Sequence, residues 1–303
     1  MILLDYSQIV IANVMMNKNS MSEDSVRHSV LNTIRMYHHK FSDEFGELVV
    51  CCDAKDNWRK DAFKYYKANR KTTRDKSDFD WSELYRILHK IREELSENFP
   101  YKVVYIDKAE ADDVIATIVM DREQKTEKKL RENHDSNESA TSIEELFVEK
   151  EPILILSSDK DFIQLQKYEN VNQYSPLTKK YLNTDNPDNF LREHILRGDV
   201  SDGVPNFMSS DDTFVVTDKR QTPLSKKKVS VWSELEPDVF CEGEQLRNYR
   251  RNEMLIDLTK IPEWLQTNIV VEYDNQPEVG RTKLFNYFIK HKLKILMEHI
   301  NEF

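Results

Sequence analysis

The segment ILILSSDKD, residues 153–161, decides the fold class, because a short apolar run leads into a polar turn that carries two aspartates. Three further runs, residues 2–4, 48–52 and 103–106, are likewise continuously apolar. Runs of this length are typical of strands buried on both faces of a parallel sheet. The sequence therefore predicts four buried parallel strands.

Amphipathic segments separate these strands. Residues 24–39 and 80–98 each place an apolar side chain at every third or fourth position, and a further helix is predicted to begin at Asp112. Strands that alternate with helices indicate an α/β fold with a mostly parallel central sheet flanked by helices. Ligands of such sheets lie beyond the carboxyl ends of the strands.

The pattern changes near residue 185, which predicts two domains. Residues 1–185 are expected to form the α/β domain, and residues 186–303 a smaller, mainly helical domain with basic clusters. Residues 121–151 are polar and contain no glycine or proline, so we predict a helix extension followed by a loop. Residues 281–303 are predicted to form one amphipathic helix.

Composition points to a reducing compartment. The chain has 303 residues, a net charge of −10 and three cysteines, whose spacing matches neither a disulfide framework nor a zinc site. No run approaches the roughly 20 apolar residues that span a bilayer, and we expect a cytoplasmic protein without a membrane partner. The acidic balance disfavours nucleic acid as a partner, but the local distribution of charge decides binding.

Nine acidic residues recur at a few tight points, most of them directly after a predicted strand. They are Asp5, Asp53, Glu110, Asp112, Asp113, Asp159, Asp161, Asp199 and Asp202. Carboxylates that gather at one edge of a sheet repel each other unless a cation offsets their charge. Mg²⁺ prefers oxygen ligands, and two ions about 4 Å apart can hydrolyse a phosphodiester. The set fits two adjacent Mg²⁺ sites; the alternative is that each acid caps a helix or ends a strand.

A basic and aromatic stretch, residues 57–76, follows the strand that ends at Asp53 and holds eight basic residues. Basic groups neutralise phosphate, and aromatic rings stack on unpaired bases. The alternative is a solvated helix face with its aromatic side packed down. The two interpretations are compatible if Phe63 and Tyr66 lie in the core while Lys67 and Arg70 face the substrate. The predicted nucleic-acid contacts are Arg59, Lys60, Lys64, Lys67, Arg70, Lys71, Lys219, Arg220, Lys226, Lys227 and Lys228.

Three weaker features have ordinary structural interpretations. Ser157 and Ser158 either donate hydrogen bonds to a phosphate or form an ordinary turn. His194 and His291 are predicted to be structural or exposed rather than metal ligands, because no histidine stands in the acidic motifs. For the lysines at 226–228 a solvated loop is the alternative to a duplex contact.

Five ordered motifs carry a family resemblance. They are LLDYSQIVIAN (3–13), CCDAKDNWRKDAFKYYKANR (51–70), IDKAEADDVIA (106–116), ILILSSDKDFIQL (153–165) and LRGDVSDGVP (196–205). Together they resemble the structure-specific 5′-nucleases, or flap endonucleases, and most closely the ribonucleases H of T-even bacteriophages. The likeness continues to the terminal INEF and so covers nearly the whole chain.

The resemblance implies a PIN-like 5′-nuclease fold and roles for individual residues. It implies a first metal held by Asp5, Asp53, Asp112 and Asp159, with Glu110 and Asp113 beside it. It implies a second metal held by Asp161, Asp199 and Asp202. It implies that Lys67 and Arg70 meet the scissile phosphate, and that residues of about 57–81 form an arch over the site. The implied catalytic set is Asp5, Asp53, Asp112, Asp159, Asp161, Asp202, Lys67 and Arg70.

The implied activity is 5′-to-3′ exonuclease and flap endonuclease cleavage with Mg²⁺, for which Mn²⁺ substitutes. Substrates would be RNA–DNA and DNA–DNA duplexes, from which RNA primers and 5′ flaps are removed during phage lagging-strand replication, leaving 5′-phosphates. Implied partners are a single-stranded-DNA-binding protein and a sliding clamp, with the enzyme itself a monomer. The alternatives are a PIN-type ribonuclease and a non-catalytic module that binds branched DNA.

One segment departs from the family pattern. Many members carry a glycine-rich hairpin after the LRGDVSDGVP motif that grips the downstream duplex, often with a potassium ion. Residues 206–213 (NFMSSDDT) contain no glycine and two acids. Because glycine allows the closest backbone approach to phosphate, we expect the basic residues between 219 and 228 to replace that grip.

Overall fold

A six-stranded sheet forms the centre of the computed structural model, which describes residues 1–16, 22–75, 77–136, 150–277 and 280–303. The strands are β1 (Ile2–Asp5), β2 (Leu48–Cys51), β3 (Lys102–Val104), β4 (Ile153–Leu156), β5 (Val171–Ser175) and β6 (Lys180–Leu182). Their order is β3-β2-β1-β4-β5-β6, and only the β5–β6 pair is antiparallel. The predicted mostly parallel α/β fold is confirmed.

The sequence prediction missed β5 and β6. Strand β5 has the sequence VNQYS, in which Asn172 and Gln173 interrupt the apolar pattern. Gln173 is nevertheless fully buried, and its amide donates a hydrogen bond of 3.1 Å to the carbonyl oxygen of Ser157. A polar residue that is satisfied inside the sheet gives no apolar signal in the sequence.

Helices cover both faces of the sheet. In the N-terminal part they are α1 (Tyr6–Met16), α2 (Glu23–Phe45), α3 (Trp58–Ala62), α4 (Ala68–Asp75), α5 (Trp81–Asn98) and α6 (Ala111–Ser136). In the C-terminal part they are α7 (Pro187–Arg197), α8 (Lys226–Trp232), α9 (Pro237–Phe240), α10 (Glu244–Ile256), α11 (Glu263–Asn275), α12 (Thr282–Lys290) and α13 (Lys294–Met297). The predicted helices at 24–39, 80–98 and from Asp112 are all present. In the described parts of the chain, no helix is long and apolar enough to cross a membrane.

Two predictions about segment structure have different outcomes. The polar segment 121–151 begins as the predicted helix extension, since α6 continues to Ser136, and residues 137–149 lie outside the described residues. The single helix predicted over 281–303 is wrong. Helix α12 ends at Lys290, and Lys292 adopts a φ of 55°, a conformation that an α-helix cannot contain. The chain turns there so that Phe303 reaches the ring of Phe99, with 5.6 Å between their centroids.

The C-terminal helices complete the cores on both faces of the sheet. Leu284 and Phe288 of α12 belong to the same buried cluster as α2, α5 and the sheet. Leu265 and Ile269 of α11 belong to the cluster that joins α6 to the opposite face. A third cluster lies among α7, α8, α10 and the segment that contains Phe63. The division into domains at residue 185 stays a prediction.

Arg27 makes a buried ionic junction between helices. Its side chain is 1% exposed, and its Nε lies 2.8 Å from Glu94 of α5. It also contacts Asp24 at 2.7 Å and Glu23 at 2.6 Å within α2. The hydroxyl of Tyr287 in α12 donates a hydrogen bond of 2.7 Å to Glu94. Burial alone would raise the pKa of Glu94, but Arg27 and Tyr287 outweigh that effect and lower it.

Arg27→Met should therefore destabilise the fold. The substitution leaves Glu94 without its charged partner, and we expect the free energy of unfolding to fall by about 3 kcal/mol. Lys90→Met is the matched control, because Lys90 is 46% exposed and also contacts Glu23; an exposed pair is worth less than about 1 kcal/mol. Urea unfolding followed by circular dichroism measures both, and equal losses would contradict the role of Arg27.

Candidate active site

A cleft of about 1520 Å³ opens at the carboxyl ends of the central strands. Six of the nine predicted acids line it: Asp5, Asp53, Glu110, Asp112, Asp159 and Asp202. Basic and aromatic side chains line it as well, namely Lys60, Lys64, Tyr66, Lys67, Arg70, Arg74, Phe79, Trp81, Tyr85, Arg86 and Arg92. The parallel register explains the gathering of acids. Asp5 ends β1 opposite Cys51 of β2, so Asp53 follows closely, and β4 lies on the other side of β1.

One group of carboxylates in the cleft (Asp5, Asp53, Asp112 and Asp159) makes no ion pair with the residues that the structure describes. Burial raises the pKa of Asp5 to about 7, and the charge of Asp53 adds to the shift. Burial likewise raises the pKa of Asp112 well above its usual range, with Asp159 adding to it, and burial raises the pKa of Asp159. Burial and mutual repulsion therefore disfavour the charged forms of these carboxyls. Carboxylate oxygens are the ligands that a hard divalent cation prefers.

Short polar contacts hold these carboxylates in place. The hydroxyl of Ser157 donates to Asp5 Oδ2 at 3.0 Å, and the backbone N–H of Gln8 donates to Asp5 Oδ1 at 3.2 Å. The backbone N–H of Ala111 donates to Asp53 Oδ1 at 3.0 Å. Ser157 therefore orients an acid. The same hydroxyl accepts a hydrogen bond of 3.1 Å from the backbone N–H of Asp159, as in a local turn.

A second group of acids in the cleft is paired with cations. Lys67 Nζ lies 2.5 Å from Glu110 Oε1 and 3.4 Å from Asp202 Oδ2, and Arg70 also contacts Asp202. The Tyr66 hydroxyl lies 2.8 Å from Glu110 and 2.7 Å from Asp202. Burial alone would raise the pKa of both carboxyls, but Lys67, with Arg59 at Glu110 and Arg70 at Asp202, lowers both. Lys67 and Arg70 thus lie at the acidic site, and their contact with the scissile phosphate stays a prediction.

The basic stretch is docked on the loop that carries Asp199 and Asp202. The backbone N–H of Lys67 donates to the Asp202 carbonyl at 2.7 Å, and Arg70 Nε donates to the Ser201 carbonyl at 3.1 Å. Gly203 has a φ of +72°, and a Cβ there would lie 3.1 Å from the Tyr65 carbonyl oxygen. Glycine is therefore required for this close approach.

Two of the remaining three acids, Asp161 and Asp199, lie beside a histidine. Asp161 Oδ1 is 3.4 Å from His194 Nδ1, and Asp199 Oδ2 is 3.8 Å from His194 Nε2. The sequence prediction grouped Asp161 and Asp199 with Asp202, whose carboxylate instead contacts Lys67 and Arg70. Burial lowers the pKa of His194 against the opposing charge of Asp199. A signal for His194 was its place at the end of a helix, five residues before Asp199.

Two predicted site residues, Arg59 and Asp113, pair with each other in the interior. Asp113 is fully buried and contacts Arg59 at 2.8 Å and Trp58 Nε1 at 3.2 Å. Arg59 is 2% exposed and also donates to the carbonyl of Leu255 at 2.9 Å. The buried acid and the buried cation neutralise each other. This pairing favours a structural role for both residues over the predicted metal ligand and DNA contact.

Two family models match most of the chain. Residues 2–131 match the 5′-3′ exonuclease, N-terminal resolvase-like domain, and residues 187–303 match the family described as T4 RNase H, C terminal. Ribonuclease H of Enterobacteria phage T4 is 33% identical over 314 aligned positions, which cover 99% of this chain and 95% of the relative. The chain belongs to this 5′-3′ exonuclease family. It is a nuclease, and the resemblance seen in the sequence is confirmed.

Solved structures share the fold of this nuclease. The T5 5′-exonuclease with bound zinc ions superposes with a TM-score of 0.61 at 16% identity, covering 91% of this chain and 98% of that one. The bacteriophage T5 flap endonuclease, in a pseudo-enzyme–product complex with DNA and metal ions, has a TM-score of 0.57 at 16% identity, covering 90% and 99%.

The nuclease presents its predicted nucleic-acid contacts in different ways. Lys60 and Lys64 line the cleft, whereas the side chain of Lys71 lies outside the described residues. The side chain of Lys219 contacts Asp212 at 2.6 Å. The exposed residues at the other predicted positions are Arg220, Lys226, Lys227 and Lys228. Their role in binding stays a prediction.

Aromatic residues of the nuclease divide between core and cleft. Trp58, Phe63 and Tyr66 are all buried, so stacking on bases is not available to these three. The sequence prediction missed Trp81 and Arg74 as cleft residues; the Arg74 guanidinium lies 5.3 Å from the Trp81 ring centre. Their signal was the basic and aromatic character that continues to the end of the predicted arch.

The glycine-free segment of the nuclease is held by ion pairs. Asp211 contacts Arg247 at 2.7 Å and Arg251 at 2.5 Å, and Asp212 contacts Lys219. Both acids that depart from the family pattern are therefore neutralised within the protein.

Gly198, at the start of the acid-bearing loop, provides a stability test. Its φ is +66°, and a Cβ would lie 2.4 Å from the Val204 carbonyl oxygen. Gly46 has a φ of +77° with nothing within 4 Å of its Cβ position. Gly198→Ala and Gly46→Ala should each lower the free energy of unfolding by about 1–3 kcal/mol through backbone strain. The loss should be larger for Gly198→Ala than for Gly46→Ala, because the backbone near Val204 must also move to admit the Cβ. Urea unfolding measures both losses of stability, and equal losses in the two variants would contradict this prediction.

Proposed function

We propose that this nuclease is a Mg²⁺-dependent 5′-to-3′ exonuclease and flap endonuclease. It would remove RNA primers and 5′ flaps from RNA–DNA and DNA–DNA duplexes during phage lagging-strand replication, leaving 5′-phosphates. One observation carries the proposal: carboxylates that make no ion pair with the described residues lie in the same cleft as a basic wall. Acids of this kind suit metal ions, and a basic wall suits a phosphate backbone.

The proposed metal ligands form two sets, one for each ion. Asp5, Asp53, Asp112 and Asp159 would hold a first Mg²⁺, with Glu110 beside it. Asp161 and Asp199 would hold a second, with Asp202 near them. Bound ions of this kind activate a water and stabilise the leaving oxygen of a phosphodiester.

When substrate binds, Lys67 and Arg70 would leave their carboxylate partners and contact the substrate. Lys67 is largely buried at Glu110, whereas Arg70 is 40% exposed at the rim. Cations bound to the cleft acids would free these two side chains to contact the scissile phosphate. Donors already in place beside the reacting group stabilise its developing negative charge with little reorganisation.

The cleft also suggests the form of the substrate. Basic and aromatic groups from residues 57–81 form much of its lining, which suits a single-stranded 5′ arm. The DNA complex of the T5 flap endonuclease supports a nucleic-acid substrate. The proposed partners, a single-stranded-DNA-binding protein and a sliding clamp, and the monomeric state follow from the family.

Asp112→Asn should abolish cleavage and leave DNA binding intact or tighter. The change removes a metal ligand and a repulsive charge together, and we expect a loss on the order of 10³-fold in rate. The assay follows release of a labelled 5′ flap in Mg²⁺, with binding measured by fluorescence anisotropy. Asp274→Asn is the control, because Asp274 is 48% exposed and lies outside the cleft.

The same assay separates the alternatives. Unchanged cleavage by the Asp112→Asn variant would contradict the assignment of the active site. Cleavage of single-stranded RNA with flapped DNA ignored would favour a PIN-type ribonuclease. Tight binding of branched DNA without Mg²⁺-dependent cleavage by the wild type would favour a binding module.

Mg²⁺ should stabilise the metal-free protein, because it offsets repulsion among buried carboxylates. We expect the melting temperature to rise by about 2–4 °C on adding Mg²⁺ after EDTA treatment, which corresponds to roughly 1 kcal/mol. Asp112→Asn should melt higher than wild type in EDTA and gain less from Mg²⁺. Calorimetry gives both values, and a wild-type protein indifferent to Mg²⁺ would contradict the metal site.

A further inference from the structure

Three basic side chains of the cleft, Lys55, His89 and Arg92, have no strong acidic partner. Lys55 follows Asp53 by two residues, His89 and Arg92 lie about one turn apart on α5, and all three line the cleft. Lys55 is exposed and pairs with no carboxylate of the described chain. Arg92 makes one ion pair with a described residue, a 3.9 Å contact to Glu93, whose side chain is 67% exposed. Such an exposed contact neutralises little charge, so the positive charge of this basic triad is largely uncompensated.

Tyr105, which directly follows β3, holds the two α5 members of the triad in position. The Arg92 Cζ lies over the Tyr105 ring at 3.7 Å from its centre, and the His89 ring packs edge-on with 6.4 Å between ring centres. The Arg92 side chain is only 14% exposed. A guanidinium that stacks on a ring keeps its N–H donors free, because they lie in its own plane. A fixed fork of free donors suits an oxyanion that accepts two hydrogen bonds.

The electrostatics of His89 are consistent with an anion site. Burial lowers the pKa of His89, and the positive charges of Arg92 and Lys55 lower it further, whereas Glu93 opposes them. Two cations and one acid thus act on this ring. A bound anion would offset the excess of positive charge, and a neutral imidazole still offers it one N–H donor.

The same face of α5 continues with aromatic side chains. Trp81 and Tyr85 precede His89 at intervals of four residues, which places them on one face of the helix, and all three line the cleft. The Trp81 and Tyr85 rings stack with 6.3 Å between their centres, and the Arg74 guanidinium lies 5.3 Å and 5.2 Å from them. Aromatic rings with arginine bind unpaired bases. From Trp81 to Arg92 this face is about 16 Å long, so the aromatic pair and the triad can contact different nucleotides of one strand.

A nucleic-acid phosphate is the anion that would reach this cleft, and in this respect the inference rests on the proposed function. We propose that Lys55, His89 and Arg92 form a subsite for a phosphate of the single-stranded 5′ arm. The scissile phosphate is assigned to the metal ions with Lys67 and Arg70, so the triad would hold a second phosphate of the same strand. The phosphomonoester at the 5′ end and an internal phosphodiester share this chemistry. In either case the subsite would position the arm relative to the metal ions.

Single neutralised phosphates test the subsite. An uncharged methylphosphonate replaces one phosphodiester at a time along the 5′ arm of a flap substrate, and a 5′-hydroxyl replaces the terminal phosphate. Fluorescence anisotropy in EDTA measures affinity without metal-dependent cleavage. Wild type should lose affinity on the order of tenfold at one position. Arg92→Gln should lose as much with the unmodified arm and nothing further at that position, because the two changes remove one interaction.

The position of the loss identifies the source of the phosphate. A loss with the 5′-hydroxyl arm identifies the terminal phosphomonoester, and a loss with one methylphosphonate identifies an internal phosphodiester. Lys55→Gln removes an exposed member of the triad and should be insensitive at the same position, so the test does not depend on the folding of the Arg92→Gln variant alone.

Lys90→Gln is the matched control. Lys90 lies on the same helix, is 46% exposed, contacts Glu23 and does not line the cleft. This variant should keep the wild-type loss at every position. The slope of the logarithm of affinity against the logarithm of salt concentration should become shallower by about 0.7 in Arg92→Gln, as for one lost phosphate contact on a single strand. It should not change in Lys90→Gln.

Two results would overturn the subsite: no single phosphate, terminal or internal, whose neutralisation weakens wild-type binding, or triad variants that remain as sensitive to that phosphate as wild type. Flap cleavage in Mg²⁺, measured separately, keeps the two proposals distinguishable. Cleavage without such a phosphate refutes the subsite alone. A phosphate coupled to Arg92 without cleavage refutes the nuclease mechanism and leaves the subsite.

Discussion

Repulsion among carboxylates at one edge of a parallel sheet is the constraint on which this structure depends. The register of β1 with β2 and β4 brings Asp5, Asp53 and Asp159 to the same edge of the sheet. Burial then raises the pKa values of Asp5 and Asp159. The fold therefore carries an electrostatic cost that a bound cation relieves, and this cost is what makes the edge a metal site in our proposal.

Residues of the basic stretch neutralise acidic side chains both in the protein interior and in the cleft. Arg59 neutralises Asp113 inside the protein, where both side chains are buried. Lys67 and Arg70 neutralise Glu110 and Asp202 in the cleft, where solvent and substrate can compete. Neighbouring basic residues of one motif thus have different roles. The inner pair is enclosed in the protein, and the outer pairs place Lys67 and Arg70 in the cleft.

Much of the fold and part of the site could be predicted from the sequence. Four strands were found because continuous apolar runs are local signals, and most acids because they follow those runs. Strand β5 was missed because the burial of Gln173 depends on a distant carbonyl. Arg59 was assigned to DNA because its buried acid lies 54 positions away in the sequence, beyond any local pattern.

Family membership, the parallel sheet and the acidic edge were determined by the sequence alone, because motif order and apolar periodicity are properties of short segments. Only the tertiary structure decided which charges pair. It placed Asp113 in the core, Asp202 against Lys67, and His194 between Asp161 and Asp199. The physical reason is that charge pairing depends on distances of a few ångströms between residues far apart in the chain, which packing sets and local sequence does not encode.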